Sequence, residues 1–243
     1  MRSDLELNNL AIQLRKKWGE DEYSSVDISK LASLQDNITL ITIEMPSEMS
    51  GMCVKSDNEI IIAVNSTMSL GRQRFTIAHE LYHAYYDESL MTYVCMQSLG
   101  GKKSESEREA DKFASFFLAP YSALDIYKDK VHSENWDIET IVSAEQFFGI
   151  SHQALLFRLF TENRISRADF EKFKEMKITS IAEKLGLGLE LYRRTKPYSC
   201  TGSYLRKIRK AYDKGLIGAG KRDELLNDGF ADTEIDIGDI IDD

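Results

Sequence analysis

Two histidines four residues apart flank a glutamate in His79-Glu80-Leu81-Tyr82-His83, and this spacing fits an α-helix. On a helix the two imidazoles lie one turn apart on the same face, while Glu80 is displaced by about 100° around the axis. Zinc hydrolysis needs this combination: neutral imidazole ligands held rigidly, an open position for water, and a carboxylate base beside that water. Glu80 is placed to take the water's proton and pass it to a leaving amine. With four His and 21 Glu in the chain, random placement would give the pattern roughly 0.006 times per sequence. The plainer alternative is that both histidines cover a helix surface or cap core packing.

The segments around the motif predict an α+β fold. Leu7, Leu10, Ala11, Leu14 and Trp18 recur at helical spacing over residues 4–18, and Asp27 reads as the N-cap of a short helix through Leu34. Three extended stretches follow at Ile38–Ile43, Met49–Lys55 and Glu59–Val64, with Ser56-Asp57-Asn58 as a hairpin turn between the last two. A long helix over about 69–87 carries the motif. Residues 92–104 read as a surface loop ending in Gly100-Gly101-Lys102-Lys103, and Ser104 with Glu107 makes a capping-box pattern for a helix that stops near Pro120. Further helices are expected at about 138–148 and 151–162. From about residue 176 the chain is helix-prone and ends in an acidic tail. This divides it into a domain at 1–175 and a helical C-terminal region at 176–243.

Charge and composition narrow the function classes. A net charge of −9 argues against nucleic acid as the main partner. The charge is uneven, with eight basic residues and one acidic residue from Arg193 to Lys214, so DNA contact through 193–214 stays open, as does docking of an acidic partner. No apolar run approaches the roughly 20 residues of a membrane span, and the N-terminus has no signal-peptide core, so a cytoplasmic location is expected. The three cysteines, Cys53, Cys95 and Cys200, form no readable disulfide framework.

A catalytic zinc needs a third protein ligand. His132 and His152 are candidates without a local pattern. In Glu105-Ser106-Glu107-Arg108-Glu109-Ala110-Asp111, Glu109 lies one turn before Phe113 on the apolar stripe. A carboxylate facing inward there needs a cation, which zinc would provide. Glu105 and Glu107 read as a solvated first turn favoured by the helix dipole.

The run Arg72-Gln73-Arg74-Phe75-Thr76-Ile77-Ala78-His79-Glu80-Leu81-Tyr82-His83, followed by Glu107-Arg108-Glu109-Ala110-Asp111-Lys112-Phe113-Ala114 and Leu118-Ala119-Pro120, resembles the ImmA/IrrE family of metallopeptidases over roughly residues 25–165. The resemblance implies a zincin-like core, a small antiparallel sheet packed on helices. It implies His79, His83 and Glu109 as zinc ligands and Glu80 as general base. Tyr82 stands where many members have glycine; it is either a packing residue or a phenol near the transition state, for which His132 and Tyr93 are the other candidates.

The resemblance also implies a site-specific endopeptidase. Its substrate would be one partner, such as a helix-turn-helix repressor encoded nearby in a mobile element, prophage or stress operon. The alternative is a non-proteolytic zinc-binding regulator or antitoxin of a toxin-antitoxin pair, acting by binding. Glu59–Val64 would serve as a sheet edge for a substrate strand or as an ordinary buried strand. The helix-turn-helix rhythm at 138–162 is too apolar in its second helix for a DNA groove and reads as scaffold.

Overall fold

The structure, a computed structural model, describes residues 1–87, the backbone of 92–96, and residues 104–229. The elements in chain order are α1 (Asp4–Lys17), α2 (Ile28–Leu34), β1 (Ile38–Ile43), β2 (Met49–Lys55), β3 (Ile60–Asn65), α3 (Leu70–Tyr86) and β4 (Thr92–Met96). They continue with α4 (Glu105–Leu118), α5 (Tyr121–Lys130), α6 (Ile138–Phe148), α7 (His152–Thr161), α8 (Arg167–Lys174) and α9 (Ile178–Lys184). A 3₁₀ turn at Glu190–Tyr192, then β5 (Ser199–Gly202), α10 (Ser203–Asp213) and α11 (Ala219–Gly229) complete the described chain. The α+β architecture expected from the sequence is present.

Local chemistry explains the element starts. Ser3 and Glu6 form a reciprocal capping box at α1, and Asp27 accepts from the Lys30 N–H at α2. Ser104 accepts from the Glu107 N–H at α4. Gly149 closes α6 at φ +62°, a left-handed conformation that favours glycine.

The five strands run in the order β4-β2-β3-β1-β5. The sheet is mixed rather than wholly antiparallel, because β1 and β3 pair in parallel with Ile38 opposite Ile60. Three other expectations change. Glu59–Val64 is not a sheet edge: β3 has β2 on one side and β1 on the other, as its near-continuous apolar run suits. Thr92–Met96 is a strand paired with β2 instead of loop. Ser199–Gly202, inside the stretch expected to be helical, pairs antiparallel with β1. Gly100 to Lys103 and the acidic residues from 230 onward lie outside the described residues.

One sheet face, including Ile38, Ile60, Ile62 and Cys53, joins Ile77, Leu81, Phe113 and Phe117 in the core. Each such aliphatic or aromatic side chain contributes about 1.5–3 kcal/mol on full burial. Helix α3 is sandwiched between the β2–β3 hairpin and α4, and α1 covers α4. The C-terminus of α4 is gripped by two buried arginines. Arg15 Nη1 donates to the Phe117 carbonyl at 2.7 Å, and Arg158 Nη1 donates to the Ser115 carbonyl at 2.9 Å and to the Ala119 carbonyl. Cations at the negative end of the helix dipole are favourable. Arg158 lies on α7 beside the buried Leu155, Leu156 and Leu159, so the second helix of the helix-turn-helix-like pair packs inward. No helix among the described residues is long and apolar enough to cross a membrane.

Candidate metal centre

Helix α3 can lie close to β2 because residue 51 is glycine. A Cβ there would stand 2.6 Å from Thr76 Cγ2 and 2.7 Å from the Ala63 carbonyl oxygen, so any side chain would push strand and helix apart. The same close packing buries His79, Glu80 and His83. As the helical spacing requires, the two imidazoles share a face, and their Nε2 atoms are 3.2 Å apart.

The third donor comes from α4, and it is Glu107. Its Oε2 lies 3.4 Å from His79 Nε2 and its Oε1 3.6 Å from His83 Nε2. These three side chains form the one group among the described residues with metal-ligand geometry. Glu109, expected in this position, is turned about 200° around the helix from Glu107. It is buried as its place on the apolar stripe predicted, but on another side of α4, where its cations and donors are Arg2 and Tyr82. Of the two residues expected in a solvated first turn, Glu105 is exposed, whereas Glu107 lends its N–H to the Ser104 cap and turns its carboxylate to the histidines.

The far nitrogen of each imidazole also has a carboxylate. His79 Nδ1 is 3.1 Å from Asp111 Oδ1, and His83 Nδ1 is 3.3 Å from Asp87 Oδ2, which Ser106 also binds. A carboxylate at Nδ1 holds the proton there and leaves Nε2 as a lone pair. Two lone pairs and a carboxylate thus converge on one point, which is unfavourable without a cation among them. The spacing suits a small ion: ligands about 2.0–2.1 Å from a tetrahedral zinc lie roughly 3.3 Å apart. Sequence reasoning missed Asp111 and Asp87, yet a signal existed. Glu107–Asp111 and His83–Asp87 repeat the four-residue interval of His79–His83.

Glu80 is the other half of the site. It is fully buried, and neither carboxylate oxygen has a hydrogen-bond partner among the described residues. Burial pushes its carboxyl up to about 7; His79 opposes that shift and Glu107 adds to it. A buried carboxylate without such a partner is costly as a structural element.

With this geometry in place, comparison with known families is decisive. The Peptidase_M78 family model, described as an IrrE N-terminal-like domain, matches residues 35–160, more than half of the chain. The chain belongs to the Peptidase_M78 family. Comparison with curated proteins gave no match. The matched residues run from just before β1 to the penultimate residue of α7, so the whole His79–His83–Glu107 cluster lies inside them. It carries a metallopeptidase-type centre able to hold a metal.

The remaining candidates of this M78 chain fall elsewhere. Tyr82 is buried, packs against Phe113 and Tyr86, and donates its hydroxyl to Glu109, which places it in packing rather than at a reacting group. His132 is exposed just beyond α5, with φ +52°. His152 joins helices, its Nδ1 2.6 Å from Glu145 Oε1 and its Nε2 3.2 Å from the Phe173 carbonyl. The Tyr93 side chain lies outside the described residues.

Proposed function

We propose that this M78 protein is a zinc-dependent endopeptidase that cleaves one partner regulator, such as a helix-turn-helix repressor. The observation that carries the reading is the fully buried carboxylate of Glu80, without a hydrogen-bond partner among the described residues, beside three convergent donors. His79, His83 and Glu107 would hold the ion. A bound zinc supplies Lewis acidity, lowering the pKa of water towards ~7 and polarising a carbonyl.

The protein's own residues supply the rest. Asp111 and Asp87 fix the imidazole tautomers and hold both rings in place. Glu80, which burial lifts above the ordinary carboxylate range in the metal-free protein, takes a proton from the attacking water and returns it to the leaving amine nitrogen. The close walls set by Gly51 exclude bulk water from that carboxylate. A substrate strand would add at an edge of the sheet, and the edges are β4 and β5.

Co-expression with the protein encoded next to this chain tests the reading. The wild type is expected to cleave it at a defined bond, and Glu80→Gln to lower the rate at least ~100-fold while keeping the metal. Cleavage undiminished in Glu80→Gln would remove Glu80 as the base. Zinc binding with no cleavage by either protein would instead indicate a regulator that acts by binding.

A further inference from the structure

We propose that Arg2, Tyr82 and Glu109 form a clamp that sets the rotation of α4 against α3 and so presents Glu107 to the two imidazoles. All three are positioning residues for the metal, and the inference rests on the metal-centre reading above. Glu107 and Glu109 stand two positions apart on α4, and of these two only Glu107 joins the imidazole Nε2 atoms, while Asp111 reaches the far nitrogen of His79. Something must decide which.

The contacts show what does. The Tyr82 hydroxyl donates to Glu109 Oε2. The Arg2 guanidinium reaches that same oxygen at 3.1 Å and also the Tyr82 hydroxyl, while the Arg2 backbone N–H donates to Glu109 Oε1. Both oxygens of Glu109 are therefore engaged away from the metal donors. The second guanidinium nitrogen donates to the Tyr86 carbonyl at 3.3 Å, near the end of α3. Arg2 thus bridges α3 to α4, and its guanidinium carbon stands 5.6 Å from the centre of the Tyr82 ring.

Tyr82 links the clamp to the site. Its ring meets the His83 ring edge-on, with centroids 5.7 Å apart, and packs on Phe113 of α4 at the same centroid distance. A buried carboxylate needs a cation. For Glu109 that cation is Arg2, which leaves Glu107 as the carboxylate presented to the imidazoles.

The test uses the full chain. Zinc affinity is measured by competition with a chromophoric chelator, Co²⁺ absorption reports coordination, and melting of the metal-free protein reports folding. Arg2→Ala and Tyr82→Phe are expected to weaken zinc binding ~10–100-fold, as loss of supporting contacts around a metal does. Both should alter the Co²⁺ bands, and the double variant should lose little more than either single one, because the two residues serve one clamp. Arg2→Lys should restore part of the affinity. Tyr82→Phe keeps the ring packing, so its effect is separable from misfolding. Affinity unchanged in Arg2→Ala and Tyr82→Phe, with only the melting temperature lowered, would reduce the clamp to a structural contact. Loss of metal in Glu109→Gln but not in Glu107→Gln would overturn the proposal by making Glu109 the ligand. A wild-type protein that binds no zinc would fail at an earlier point, by removing the metal centre itself.

Discussion

Glu107 and Glu109 are chemically identical, two residues apart and on one helix, yet their surroundings differ sharply. Glu107 faces two imidazole nitrogens, while Glu109 meets a guanidinium and a phenol. Burial alone would push the Glu109 carboxyl up, but the Tyr82 hydrogen bond and Arg2 bring it below its ordinary value. Glu80 has no such partner among the described residues, and burial raises it from 4.5 to about 7. Between those two values the folded metal-free protein binds a proton that the unfolded chain has released, so stability falls as pH rises through this window. The contribution is complete below 4.5 and lost above about 7. Melting of metal-free protein at pH 5 and pH 8 should therefore show a larger loss for wild type than for Glu80→Gln, whose amide does not titrate. Equal losses would show that Glu80 is not a buried ionisable group. At this scale the motif residues were legible from spacing alone. The choice between Glu107 and Glu109 was not, because an apolar stripe predicts burial without saying what the buried group meets.

Helix α4 is the element that completes the site, and its far end is held by two arginines. Arg158 and Arg15 occupy its terminal carbonyls, and Arg158 also pairs with Glu162 Oε1 at 2.7 Å and stacks over Phe116 at 4.7 Å. Replacing Arg158 with methionine keeps much of the volume but strips the Ala119 carbonyl of its guanidinium donor and leaves Glu162 with Arg164 alone. Destabilisation of about 2–4 kcal/mol is expected from urea unfolding; a change below about 0.5 kcal/mol would mean the arginine grip is incidental. Elements with strong local signals were readable in advance: α1 from its apolar spacing, α2 from the Asp27 cap, the β2–β3 hairpin from its turn, and α6–α7 from Gly149. The strands β4 and β5 were not. Each is short, at five and four residues, and is fixed by its partner strand rather than by its own pattern.

For the molecule as a whole, non-local pairing decided what the sequence could not. Nothing local announces that β1 lies parallel to β3, or that Ser199–Gly202 returns across more than 150 residues to pair with β1. That return draws part of the basic stretch into internal contacts. Lys207 pairs with Glu59, and Arg206 donates to the Ser33 and Gln35 carbonyls. The stretch therefore has a structural use whatever else it touches. The assembled sheet and helices exist, on this account, to bring three donors and one buried carboxylate together. The most direct measurement is zinc content per chain after exhaustive dialysis, for wild type, His83→Ala and Glu107→Ala. About one zinc per wild-type chain, and its loss in both variants, is predicted. A wild type without zinc, or full zinc retained in both variants, would contradict the account.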